Sequence, residues 1–149
     1  MEEETKVSFM TRPNGSRLPV CILNCTPHKV VTLDRHDDHV LAVYPPSLNH
    51  TLRGKIERDE AYTFCDIDGT VTKEIPRYLP DEEEWNRINF SKDVIKNIVI
   101  VSTIGYKQYE ELARRDEVLL VIPGSGPTQC KRENGEIVGI YEFMTNGSL

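Results

Sequence analysis

Ile98-Val99-Ile100-Val101-Ser102-Thr103-Ile104-Gly105-Tyr106-Lys107-Gln108-Tyr109-Glu110-Glu111-Leu112-Ala113-Arg114-Arg115-Asp116-Glu117-Val118-Leu119-Leu120-Val121-Ile122 is the stretch that decides the fold. Its two ends are uninterrupted apolar runs of strand length, the pattern of strands buried on both faces. Between them the spacing predicts a helix over 105–115, because Tyr106, Tyr109, Leu112 and Ala113 share one face at intervals of three and four. Ser102 and Thr103 precede it as capping residues. Strand, helix and strand in this order predict a βαβ crossover with parallel strands in one sheet.

On either side of this unit the chain reads as hairpins. Strand-like runs fall at 19–24, 29–34 and 39–44. Asp34 to His39 is a polar hairpin loop, and Pro45-Pro46-Ser47 ends the third strand because proline cannot continue a ladder. A further short strand is expected within 51–58. Ala61–Cys65 and Thr70–Ile75 flank an Asp-Gly turn, Asp66-Ile67-Asp68-Gly69. Residues 76–93 read as a long loop with one helical turn at 81–87, its acids at 81–84 solvated. Thr128–Arg132 and Glu136–Phe143 pair across Glu133-Asn134-Gly135. Residues 1–18 are polar and contain Pro13-Asn14-Gly15-Ser16, so a flexible N-terminal arm is expected there, followed by one domain over 19–145. The predicted class is α+β: a mixed, hairpin-rich β-sheet with one main helix in a βαβ crossover. Helices are too few for a doubly wound fold.

A chain of 149 residues suits one domain able to bury a core without disulfides or metals. Its net charge of -6 argues against a nucleic-acid polymer as partner, since phosphate neutralisation needs a basic surface. No apolar run approaches the roughly 20 residues that span a bilayer, so no membrane partner is expected. The acidic start, Met1 to Thr5, is unlike a signal peptide, which makes the expected setting intracellular and cytoplasmic. Of the cysteines at 21, 25, 65 and 130, only the first two are close, as C-x3-C with no second pair, and no metal site is expected. Cys21 and Cys65 read as small core residues.

Asn24-Cys25-Thr26-Pro27-His28 lies between two apolar runs and reads as a rigid polar corner at a strand end. His36, His39 and His50 sit in polar surroundings, whereas His28 stands beside strands. Ser102 and Thr103 start a helix whose free N–H groups suit an anion. Pro123-Gly124-Ser125-Gly126-Pro127 follows the next parallel strand at the same sheet edge, where ligands of open sheets collect. Arg53, Lys131 and Arg132 are candidate phosphate contacts. Ordinary helix capping and loop chemistry account for the same residues, and both readings stay open.

Two resemblances bear on function. Asp66-Ile67-Asp68-Gly69-Thr70-Val71-Thr72 resembles the D-x-D-G-T-x-T signature of haloacid dehalogenase-like phosphatases. That resemblance implies Asp66 as nucleophile, Asp68 as general acid/base and Mg2+ to screen the phosphate. Several strands precede the motif, the chain after it is short, and no acidic pair follows the 118–122 strand, so the hairpin turn is the preferred reading and the phosphatase the alternative.

The second resemblance rests on Asn24, Thr26, Pro27 and His28; Pro45, Pro46 and Ser47; Val101 and Ser102; Gly126 and Pro127; and Lys131 to Gly139. In this order they resemble small, mostly uncharacterised phage and bacterial proteins. The pattern is similar, less closely, to phage anti-defence proteins that sequester cyclic ADP-ribose-type signals. It implies a homo-oligomer that sequesters a nucleotide without cleaving it. The N-terminal arm and the acidic loop depart from that compact pattern and leave ligand identity open. The leading expectation is a non-enzymatic binder of a small phosphorylated or nucleotide ligand. Arg53, Ser102, Lys131 and Arg132 would contact phosphate, His28 and Asn24 the base or ribose, with Thr26 and Thr103 beside them. A plain interaction module without a ligand is the third reading.

Overall fold

The computed structural model describes residues 6–47, 49–58, 62–67, 69–73 and 76–147, with backbone alone for 6–7, 58, 62–67, 69–73 and 76. In chain order the elements are β1 (Lys6–Thr11), β2 (Arg17–Asn24), β3 (Val30–Leu33), β4 (Val40–Tyr44), β5 (Lys55–Arg58), β6 (Tyr62–Ile67), β7 (Gly69–Lys73), β8 (Pro76–Leu79), α1 (Glu82–Asn86), β9 (Lys96–Ile100), α2 (Thr103–Arg115), β10 (Val118–Pro123), β11 (Cys130–Glu133), β12 (Glu136–Ile140) and β13 (Phe143–Met144). The class is α+β with one main helix.

The central sheet has the order β1-β2-β9-β10-β13. Strands β2, β9 and β10 are parallel, and β1 and β13 close the edges antiparallel. A second sheet, β11-β12-β3-β4, is also mixed. The pairs β5-β8 and β6-β7 are antiparallel.

The apolar runs are continuous because each feeds two cores. Leu23, Val99, Val101, Val118 and Leu120 pack with Trp85, Tyr109, Leu112 and Ala113 on the helical side. Their alternating neighbours Ile22, Ile98, Ile100, Leu119 and Val121 pack with Val30, Cys130 and Ile140 of the second sheet. Period-two side chains thus place the central sheet between a helical layer and a second sheet.

The unit β9-α2-β10 matches its sequence reading, with both strands parallel and neighbouring. The helix begins two residues earlier than periodicity predicts, since Ser102 Oγ accepts from Gly105 N at 3.0 Å. Arg114 and Arg115 lie in its last turn, where cations oppose the carbonyl dipole. The turn after β11 has Asn134 and Gly135 at φ 53° and 82°, the left-handed pair that a tight hairpin requires.

Two expectations are corrected. Residues 6–11 of the expected flexible arm form β1, in register with β2 from Lys6↔Ile22 to Thr11↔Arg17. Pro13-Asn14-Gly15-Ser16 is the turn of that hairpin: Gly15 N donates to Arg12 O at 2.8 Å, and Gly15 has φ 88°. The expected loop over 76–93 opens with strand β8, paired with β5, and its helical turn at 81–87 is α1, on which Glu82 and Glu83 are exposed. Asp81 Oδ1 accepts from Glu83 N at 3.0 Å and Glu84 N at 3.3 Å, capping α1 and driving Trp85 into the core at 1% exposure.

Tyr109 completes this packing. Its hydroxyl accepts from Asp81 N at 3.1 Å and donates to Glu84 Oε2 at 3.2 Å. Burial pushes its phenol up to about 12, against about 10 in an unfolded chain. The folded pKa is raised, so the associated stability is whole below pH ~10 and is lost as pH rises through ~12. Tyr109→Phe is expected to flatten the loss of stability between those values, measured by urea unfolding at pH 8, 10 and 11.5. An unchanged slope would contradict this account of the buried phenol.

Candidate functional site

The polar corner is built from inside by Asn24, which is 3% exposed. It ends β2 opposite Ile100 of β9, and the next residue's N–H, Cys25 N, donates to Ile100 O at 3.0 Å. Asn24 Nδ2 donates to His28 O at 2.8 Å and to Tyr44 O at 2.9 Å. Its Oδ1 accepts from Thr26 N at 3.0 Å and Thr26 Oγ1 at 2.7 Å. Both amide protons and both acceptor positions are engaged. Asn24 is therefore a pin that folds the chain back on itself, which corrects its assignment as a ligand contact. Ser47 N donates to Asn24 O and Leu52 N to Cys25 O, so the Pro45-Pro46-Ser47 turn and the 50s segment are tied to the same point. Pro27, His28 and Lys29 are left exposed on the rim.

Ser102 and Thr103 are exposed where β9 ends, beside this rim. Adjacent parallel strands here send their chains opposite ways. After β2 the chain crosses to the second sheet, and after β9 it enters α2 in the helical layer. In open sheets such a divergence outside the carboxyl ends is where ligands collect.

Arg53, exposed, follows Leu52 at the helical side of the corner, and its backbone N donates to Glu84 Oε2 at 2.8 Å. Gly54, at φ 58°, holds this segment on α2: a Cβ there would come within 2.4 Å of Gln108 Cδ. Thr26, His28, Arg53, Ser102 and Thr103 thus belong to one sheet edge. Lys29 joins them; sequence reading missed it, although a cation next to the corner was legible.

Lys131 is tied to the loop after β3, which corrects its assignment to the same phosphate site, whereas Arg132 is tied to the loop after β10. Lys131 Nζ lies 3.2 Å from Asp38 Oδ2, and Tyr141 donates to Asp38 Oδ1 at 2.7 Å. Tyr141 and then Lys131 hold the Asp38 carboxyl below its ordinary range. Asp38 lies in the loop after β3, whereas the corner precedes β3, and four strand residues separate the two by about 10–13 Å. Arg132 donates to the carbonyls of Ser125 at 3.3 Å and Gly135 at 3.1 Å, bracing two loops. In the same hairpin loop Asp34, Asp37 and His39 bring ligand-type atoms within 4.8 Å of one another. Asp34 accepts from His36 N and Asp37 from His39 N, so turn formation accounts for both carboxylates.

Asp68 lies outside the described residues, and Asp66 is described only as backbone within β6. That strand pairs antiparallel with β7 in a separate hairpin. The D-x-D-G-T-x-T run therefore does not end a strand of the parallel sheet, the setting that the phosphatase resemblance requires. Among the described residues, Cys21, Cys25 and Cys130 are buried. No described helix is long and apolar enough to cross a membrane.

A cleft of about 380 Å3 runs along α2 to the amino ends of β9 and β10, lined by Lys96, Tyr106, Arg114, Glu117, Val118 and Asn146 among others. It contains none of the sequence-predicted site residues. Comparison with known proteins returns no match among family models, curated proteins or solved structures.

Proposed function

We propose that the protein binds a small phosphorylated ligand of the nucleotide-derived class, without converting it, in the crevice where β2 and β9 diverge. The opposite exits of these two neighbouring parallel strands are the observation that carries this reading. Thr103 N and Ile104 N, in the first turn of α2, present N–H groups without intrahelical partners, at the positive end of the helix dipole. His28, Lys29 and Arg53 add donors and positive charge on an otherwise acidic chain. A cyclic ADP-ribose-type ligand fits this chemistry: phosphate at the helix start, and ribose or base against His28 and Thr26.

Thermal shift with cyclic ADP-ribose, ADP-ribose and inorganic phosphate tests the reading. A ligand at about 100 times its Kd stabilises by roughly 2.7 kcal/mol, a rise of several degrees in Tm. Arg53→Ala and His28→Ala, both at exposed positions, are expected to abolish the rise with little change in the unliganded Tm. Absence of a shift with all three compounds contradicts the proposal and favours an interaction module. Hydrolysis of p-nitrophenyl phosphate that disappears in Asp66→Asn would instead establish the phosphatase.

A further inference from the structure

We infer that the cleft along α2 is a second ligand site, and that it takes a small zwitterion: an α-amino acid with an apolar side chain. The cleft lies at the amino ends of β9 and β10, the opposite edge of the central sheet from the β2–β9 divergence. Its volume of about 380 Å3 suits a small molecule. Its outer wall is tied in place. Asn146 N donates to the Tyr106 hydroxyl at 3.0 Å and Thr145 Oγ1 to Leu120 O at 2.6 Å, so the segment after β13 is held to both α2 and β10. Ala113, Val118 and Leu120 of the helical core give the cleft an apolar side.

Four charged residues line the cleft, two of each sign. Arg114 and Glu110 satisfy each other at 3.5 Å across one helical turn. Lys96 and Glu117 do not. They directly precede the parallel partners Asn97 and Val118, so their backbones are neighbours. Among the described residues, however, neither side chain makes an ion pair or a hydrogen bond, although Lys96 is half-buried. Glu117 also holds a conformation that its type avoids. It follows the C-cap of α2 at φ 57°, where glycine is the usual occupant. Asp38 and Asn134, the other described non-glycine residues at positive φ, belong to types that tolerate this region. Glu117 carries the strain with no side-chain bond in return, and strain of this kind gathers at ligand sites. A ligand of one charge would answer Lys96 or Glu117 and be repelled by the other. An α-amino acid answers both: its carboxylate accepts from Lys96 Nζ, its ammonium donates to the Glu117 carboxylate, and its side chain lies against Ala113, Val118 and Leu120.

Calorimetric titration of the full chain with L-leucine and L-phenylalanine tests this. Saturable binding of at least one is expected. The matching carboxylic acid and the matching amine, each lacking one of the two charges, should bind about tenfold more weakly or worse. Lys96→Met and Glu117→Gln should each weaken the amino acid to a similar degree. Glu117→Gly is the sharper variant, since it removes the carboxylate and relieves the backbone at once. Its Tm should rise by about 2–4 °C while binding falls as in Glu117→Gln. A lower Tm for Glu117→Gly would make the carboxylate a structural group and overturn the inference. So would absence of saturable binding by both amino acids, equal binding of the acid or the amine, or unchanged affinity in Glu117→Gly.

Discussion

Trp85→Ala is expected to destabilise the protein by about 3–5 kcal/mol, the range for removing a large buried aromatic. Trp85 stacks on Tyr109 with ring centroids 5.7 Å apart, touches Phe90 at 5.3 Å, and donates from Nε1 to Asp116 Oδ2 at 2.7 Å. The side chain therefore joins α1, the loop after it and the end of α2. Its loss opens a cavity and also leaves the Asp116 carboxylate to Arg115 alone. As Trp85 is the single tryptophan, unfolding must be followed by circular dichroism instead of fluorescence. Trp85→Phe is expected to recover most of the packing but not the hydrogen bond. A loss below about 1 kcal/mol for Trp85→Ala would mean that the α1 segment is not part of the folded core.

Asn24→Ala is expected to cost about 2–4 kcal/mol, because a buried amide that serves four groups is removed and partly buried partners are left unsatisfied. The consequence should reach the proposed crevice, since the same amide fixes Thr26 and the His28 carbonyl. Asn24→Asp separates the two halves of this role. Its acceptors can still serve Thr26, but a carboxylate facing the carbonyls of His28 and Tyr44 is repelled. It should be as damaging as alanine at pH 7 and partly recover as the carboxyl protonates below pH ~5, when it regains one donor. Urea midpoints at pH 7 and pH 4.5 check this. Equal stability of all three proteins would remove Asn24 from the account of the corner.

Legibility from sequence follows how local the cause is. The unit β9-α2-β10 was readable because two-sided burial yields continuous apolar strands and Ser102 caps its own helix. The turns at Asn134-Gly135 and between Asp34 and His39 were readable because they are made by their own residues. Strand β1 was not: Lys6–Thr11 carries a weak strand pattern, and its pairing is supplied by β2. Strand β13 is two residues long and exists because the chain returns to β10. The helical turn at 81–87 was readable, but the burial of Trp85 and strand β8 before it were not, since their partners Tyr109 and β5 lie elsewhere in the chain. At the site, sequence named the rim but not the depth of its residues. Asn24 and His28 look equally polar in the chain, yet the first is buried by its own hydrogen bonds and the second is exposed. Lys131 and Arg132 were near in sequence to a loop at the expected edge. Their charges are instead engaged by Asp38 and by the carbonyls of Ser125 and Gly135, partners that the linear sequence does not name.

The central claim is that a phosphorylated ligand occupies the edge where β2 and β9 part. Amide chemical-shift mapping of the labelled protein titrated with cyclic ADP-ribose tests it most directly. The account predicts saturable changes at Thr26, His28, Lys29, Arg53 and Thr103 to Gly105. Changes confined to Lys131 and the 34–39 loop, or to the cleft along α2, or no change at millimolar ligand, would contradict it.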